Sequence, residues 1–200
     1  MGEVGELVCT EPFPSMPLFF WNDPGDARYR ESYFEMYPGV WRHGDWVRLV
    51  ERPEAVGGII YGRSDATINR FGIRMGTAEL YRAVEAIPEV VDSLVVDLEY
   101  LGRESYMPLF VVLKPGVALD DALAERLNGA IRSALSARHV PSEILAIPEV
   151  PRTLSGKKME LPIKKLLLGH ALEKVAHADA MANPSSLAWF VEFAARRAAS

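Results

Sequence analysis

Three short polar segments carry the residue types most able to do chemistry. Residues 151–159 read PRTLSGKKM, a loop of small and basic residues that leads to Lys157. A lysine there can deliver its ammonium to a phosphate or carboxylate as a mobile point charge. The segment is not a GxxxxGK[ST] phosphate loop, because Pro151 stands where the first glycine is needed and Lys158 where a hydroxyl would hold magnesium. A solvated basic loop accounts for the same residues. Residues 62–79, GRSDATINRFGIRMGTAE, set Arg63 and Arg74 among glycines. Arginines present planar donor forks suited to phosphate or a ribose edge, and Gly72 and Gly76 permit positive φ or a close backbone approach to a ligand. A surface turn with solvated arginines is the alternative. In Trp41-Arg42-His43-Gly44-Asp45, Gly44 lets the backbone turn so that Asp45 projects from the start of a strand. A carboxylate there can accept two hydrogen bonds from a vicinal diol such as a ribose, although aspartate also serves plain strand-start turns. His43, His139, His170 and His177 match no metal-binding spacing. Cys9 lies in a strand-like run with no neighbouring base and reads as a core residue.

These segments need elements to hold them. Residues 6–10 read as a half-buried strand entered almost at the first residue, as if the chain began in the middle of a fold. Pro12, Pro14, Pro17 and Pro24 then break any long element before Tyr29, Tyr33, Phe34 and Tyr37 recur at helical spacing. Residues 45–50 and 57–61 form a hairpin signature around Arg52-Pro53-Glu54. Residues 62–65 then suit a turn, a site or a hinge. Thr77 is placed to cap a helix with Leu80, Val84 and Ile87 on one face, ended by Pro88. Residues 90–98, 107–113 and 143–147 are β-rich. Asp120 opens a helix striped by Leu123, Leu127, Ile131 and Leu135, and residues 161–168 make a short helix stopped by Gly169. Strands covered by two helices give a compact α+β domain of roughly 100 residues. Beyond Asn183-Pro184, the residues Leu187, Trp189, Phe190 and Phe193 predict an amphipathic terminal helix that docks.

Composition narrows the function classes. The 200 residues are 49% hydrophobic and 24% charged with a net charge of −5, an ordered globular chain with no overall basic field to draw it onto nucleic acid or an acidic membrane. Charge is nonetheless uneven. Residues 1–60 carry ten acidic and five basic side chains, whereas residues 151–168 carry one acidic and five basic, so two regions do different work. A single cysteine excludes an internal disulfide and favours the cytoplasm. The longest apolar run, residues 107–113, is far short of the roughly 20 residues a transmembrane helix needs.

Taken in order, WRHGDW, GRSDATINRFGIRMGTAE and PRTLSGKK resemble the last three signature regions of the adenylate-forming superfamily, which includes the acyl-CoA synthetases. The likeness covers about residues 2–176. Within the superfamily, GRSDATINRFGIRMGTAELYRAVEAIPEVVDSLVVDLE, MPLFVVLKPG, RHVPSEILAIPEVPRTLSGKKMELPIKKLLLG and the tail MANPSSLAWFVEF are most similar to the branch that activates acetoacetate. The tail lies outside the shared signatures and carries that assignment.

The resemblance implies an α+β chain in three parts: residues 1–64 as the β-rich end of a large AMP-binding domain, 65–176 as a mobile carboxy-terminal lid, and 177–200 as a helical tail. It implies a two-step reaction in which ATP and acetoacetate give acetoacetyl-AMP and pyrophosphate, after which the CoA thiol displaces AMP. Asp45 and Arg63 would contact the ribose hydroxyls, Asp65 would be the hinge, and Lys157 would be the catalytic lysine of adenylation. Gly72 would line the path of the pantetheine arm, Arg74 would lie near phosphate in the second step, and Arg132 would contact CoA. Mg²⁺ is implied by ATP chemistry, with no ligands in this chain. The sequence departs from the family where His43 replaces a usual Thr and Ala66 a frequent second Asp. Neither change removes a group the chemistry needs. The phosphate loop, adenine pocket and acyl pocket of the large domain have no counterpart here, so the chain reads as a carboxy-terminal part that is inactive alone. The alternative from another class is a stand-alone nucleotide- or CoA-binding or interaction domain that uses Arg63, Arg74, Lys157 and Lys158.

Overall fold

A computed structural model describes residues 2–64, 68–70, 73–98 and 106–198, with only the backbone described at 69–70 and 73–75. The chain divides into two compact units, Met1–Asp65 and Ala66–Ser200.

The first unit is a three-stranded antiparallel sheet in the order β1-β2-β3, built from β1 (Val4–Cys9), β2 (Trp41–Glu51) and β3 (Val56–Arg63). The hairpin predicted around Arg52-Pro53-Glu54 forms, with Arg52 N donating to Ala55 O at 3.0 Å. Helix α1 (Ala27–Tyr33) lies between β1 and β2. Its start is fixed by the Asp23 carboxylate, which accepts from the backbone N–H groups of Arg28 and Tyr29 at 3.0 and 2.9 Å. Tyr33 and Phe34 pack on Trp41, with the Tyr33 and Trp41 rings stacked 3.7 Å apart, and Tyr29 packs on both of them. Tyr37 falls outside the helix, which closes at Phe34. Asp45 is not at a strand start: β2 begins four residues earlier, and Gly44 turns within it at φ +83°. Gly62 and Arg63 likewise belong to β3 rather than to a turn.

The second unit opens with a short hairpin, β4 (Ile68–Arg70) and β5 (Ile73–Met75), followed by α2 (Thr77–Glu85), β6 (Val90–Val95), β7 (Pro108–Leu113), α3 (Asp121–Ala134), β8 (Glu143–Ala146), α4 (Glu160–Leu167), α5 (Leu172–Val175) and α6 (Leu187–Ala198). The β6-β7-β8 sheet pairs antiparallel between β6 and β7 and parallel between β7 and β8. Side chains alternate along a strand, so the sheet feeds two apolar clusters. Val95, Leu109 and Val111 pack with Leu80 and Val84 of α2 and Leu123, Leu127 and Ile131 of α3. Leu94 and Phe110 pack with Ile163 and Leu166 of α4 and Phe190 and Phe193 of α6. This is the expected α+β architecture, and the terminal helix docks as its apolar spacing predicts. Asp120 caps α3 by accepting from Leu123 N at 2.8 Å. The cap of α2 is Gly76 rather than Thr77, which is the first helical residue and is buried. Gly169, at φ +92°, ends α4 in the left-handed conformation that favours glycine. Among the described residues no helix is long and apolar enough to cross a membrane.

Candidate functional site

In the first unit, β-sheet register places Asp45 directly opposite Arg63. One irregularity makes this possible, and a second lies beside it. The β2–β3 register shifts after Trp46, next to Gly62 at φ +128°, and the β1–β2 register shifts between Glu6 and Val8. Such bulges re-aim side chains near a site. Arg63 Nη1 lies 4.0 Å from Asp45 Oδ1 and donates to the His43 carbonyl at 3.2 Å, while His43 Nδ1 lies 2.9 Å from Asp45 Oδ2. A Cβ on Gly44 would stand 2.7 Å from Arg63 Nη2, so a side chain there would displace the guanidinium as well as strain a backbone at φ +83°.

Glu6 of β1 holds this corner. Its carboxylate accepts from Gly44 N at 3.1 Å and Ser64 Oγ at 2.9 Å, and Arg42 Nε lies 3.4 Å away. Arg42 Nη2 also donates to Ser64 Oγ at 2.9 Å. Nothing in the sequence near Glu6 flagged it, because its partners lie 38 and 58 residues away.

In the second unit, Lys157 sits on a loop with internal order. Thr153 N donates to Lys157 O at 2.9 Å, Lys157 N donates to Thr153 Oγ1 at 3.1 Å, and Gly156 N donates to Thr153 O at 2.8 Å. Gly156 takes φ +81° to close the turn. The Lys157 side chain is exposed, and among the described residues no acceptor meets its ammonium. Its neighbour behaves oppositely. Lys158 Nζ donates to Glu85 Oε1 at 2.5 Å and Ser93 O at 2.7 Å, lies 3.0 Å from Asp92 Oδ1, and stands 3.8 Å over the Tyr81 ring. Lys158 is therefore not an available ligand-binding cation, which corrects its inclusion in the stand-alone binding alternative. Burial alone would raise the Asp92 carboxyl, but hydrogen bonds from Arg152 and Lys158 outweigh it and hold the group below its usual value. Burial, followed by the nearby Glu160 charge, pushes the Tyr81 hydroxyl well above its ordinary value, keeping it a neutral donor to Glu160 Oε1 at 2.5 Å.

Arg132 is exposed in the last turn of α3. No described contact joins it to Lys157. Asp65 and Gly72 lie outside the described residues, and Arg74 lies in β5 with only its backbone described, opposite Asn69 of β4. Cys9 is half-buried at the end of β1. Among the described residues no three His, Cys, Asp or Glu side chains gather as a metal site.

Residues 81–157, which carry the three-stranded mixed sheet and run to the exposed lysine, match the AMP-binding enzyme C-terminal domain. Over nearly its whole length the chain is similar to particular members of that class. It is 45% identical over 186 residues to acetoacetyl-CoA synthetase of Macaca fascicularis, covering 93% of this chain and 27% of that protein. It is also 45% identical over 190 residues to acetoacetyl-coenzyme A synthetase of Rhizobium meliloti strain 1021, covering 94% of this chain and 28% of that one. The solved acetoacetyl-CoA synthetase from Streptomyces lividans superposes with a TM-score of 0.86 at 49% identity, over 98% of this chain and 29% of that one. The chain is thus homologous to the carboxy-terminal portion of the acetoacetyl-CoA synthetases and spans little more than a quarter of their length. The anthranilate CoA ligase AuaEII, at 21% identity and a TM-score of 0.62, shares the fold.

Proposed function

We propose that the chain is the carboxy-terminal part of an acid–thiol ligase that activates acetoacetate with ATP and transfers it to CoA. In this reading residues 1–64 end the large AMP-binding domain, residues 65–176 form the lid that turns about Asp65, and residues 177–200 form its tail. The observation that carries it is the presentation of Lys157: an exposed ammonium, free among the described residues, on an ordered loop whose other two cations are already neutralised.

In the first step an acetoacetate carboxylate oxygen bonds to the α-phosphorus of ATP and pyrophosphate leaves. Negative charge crowds at that phosphorus, and a preorganised ammonium in a water-poor cleft stabilises it. Asp45 would accept from the ribose hydroxyls and Arg63 would donate to them. In the second step the CoA sulfur, having lost its proton, bonds to the acyl carbon and AMP leaves with the bonding electrons. Lys157 has no role there, and the lid would present Gly72 and Arg74 instead, with Arg132 against CoA.

The test joins this chain to the large domain of a synthetase relative and compares Lys157→Ala with the parent. ATP–pyrophosphate exchange driven by acetoacetate should fall by about 100-fold or more, while CoA thioester formation from supplied acetoacetyl-adenylate persists. Equal loss in both steps overturns the role given to Lys157. Calorimetry of the isolated chain with AMP, ATP and CoA separates the stand-alone alternative. Weak binding is expected of part of a composite site, and tight binding would favour an independent nucleotide- or CoA-binding domain.

A further inference from the structure

Arg152 and Lys158 face each other across an isolated antiparallel bridge, so the loop carrying Lys157 is closed at its neck. Both neck residues are cations, and both end on the same carboxylate of β6. Asp92 Oδ2 accepts from Arg152 Nη2 at 2.7 Å and Nε at 3.2 Å, and Asp92 Oδ1 lies 3.0 Å from Lys158 Nζ. Arg152 then reaches across the loop, with Nη1 donating to Gly156 O at 2.5 Å, next to Lys157 in the chain. Glu85, at the end of α2, accepts from Lys158 Nζ at 2.5 Å and from Ser93 Oγ at 2.7 Å, tying the same neck to the rigid sheet–helix frame.

Resting on the adenylation role proposed for Lys157, we infer that Asp92 is a positioning residue: it clamps Arg152 and Lys158 together and thereby sets where the backbone that carries Lys157 stands. Three cations lie within seven residues, and the clamp tells them apart. Two are neutralised at the neck and the third is left to meet substrate. Without the carboxylate, Arg152 would repel Lys157 and compete with it for phosphate oxygens, and Lys158 would keep only Glu85 as its carboxylate partner. A partly buried ion-pair cluster is a weak source of net stability, whereas its geometric specificity is strong when several charges share one acceptor. A lysine whose backbone is held before the substrate arrives has less left to order in the transition state, which is where positioning raises kcat.

The test is Asp92→Asn, a change of nearly constant shape. In this chain, amide hydrogen exchange of residues 153–157 should quicken by about tenfold or more while the amides of β7 and α4 keep their protection. In the joined enzyme, kcat of adenylation should fall about tenfold or more with little change in KM for ATP, thioester formation from supplied adenylate should persist, and Asp92→Glu should recover most of the loss. Unchanged exchange in the loop overturns the clamp, as does a loosened loop with unchanged adenylation kcat. If the asparagine variant loses core protection, Arg152→Gln decides by the same two readouts, since that side chain is partly exposed. The exchange experiment judges the clamp even if Lys157→Ala leaves adenylation intact, an outcome that would instead refute the proposed function.

Discussion

The two units hold their candidate residues by different means. In the second, the sheet is buried on both faces. Phe110, Leu109, Leu127, Ile131 and Phe190 have no exposed surface, and the Lys157 loop is braced against that frame through Asp92, Glu85 and Ser93. In the first, Trp41 is the one buried apolar side chain among the described residues, while Leu18 and Trp21 are 89% and 88% exposed and Ile59 and Ile60 also face outward. The Asp45–Arg63 corner there depends on polar contacts to Glu6, Arg42 and Ser64. A site braced on a closed core keeps its geometry by itself, whereas one on a thin sheet keeps it only as long as a few hydrogen bonds do. Large apolar side chains left this exposed are what the proposal that residues 1–64 end a larger domain would lead one to expect.

The largest expected effect tests whether the second unit carries its own stability. Phe110 meets Trp189, Phe190 and Phe193 at centroid distances of 5.0–5.7 Å. Phe110→Ala should cost about 3–5 kcal/mol in urea denaturation. Amide protection of the β2–β3 pairing should be unaffected at low urea. A cost below about 1 kcal/mol would mean that α6 is not the core element described here.

Gly44→Ala probes the polar corner of the first unit. An alanine must adopt φ +83° and push Arg63 aside, at a cost of about 1–2 kcal/mol. Faster amide exchange confined to residues 42–47 and 60–64 is the expected readout, and spread into β6–β7 would break the separation of the two units.

Asp120→Ala removes the side-chain cap of α3 and should lower the stability of the second unit by about 1 kcal/mol, measured against Asp121→Ala, which caps nothing. Equal effects of the two would show that the cap does not matter.

The smallest effect is a local dependence on pH. The Asp92 carboxyl is held below its usual value, so its contribution is fully present above the unfolded value of about 4 and is lost as pH falls through the lower folded value. The protection factors of the 153–157 amides, taken relative to intrinsic exchange at each pH, should therefore hold down to about pH 4 and fall only below it. Loosening already near neutrality would contradict the clamp.

Much of the fold was legible in the sequence. The stripes of α2 and α3, the apolar runs of β6 and β7, and the spacing of Leu187, Phe190 and Phe193 each follow from a local period that demands one buried face. The boundaries read less well where a local rule had a competitor. Thr77 suits a cap, yet its side chain is buried and Gly76 takes that place. Gly62-Arg63 suits a turn, yet strand pairing with Trp46 and Asp45 continues through it. Lys157 stood out by its motif, but the motif did not show that its neighbour Lys158 is engaged within the fold. That engagement depends on Glu85 and Asp92, which are 73 and 66 residues away in sequence.

Residue types and periodicity alone determined the α+β class, the docking of the terminal helix and the three segments worth watching. Only the tertiary structure decided that Glu6 holds the Asp45–Arg63 corner and that Asp92 meets both neck residues of the lysine loop. The reason is physical. A hydrophobic period is written within one element, whereas the partner of a charge is whichever group folding brings within a few ångströms, and no local pattern encodes that.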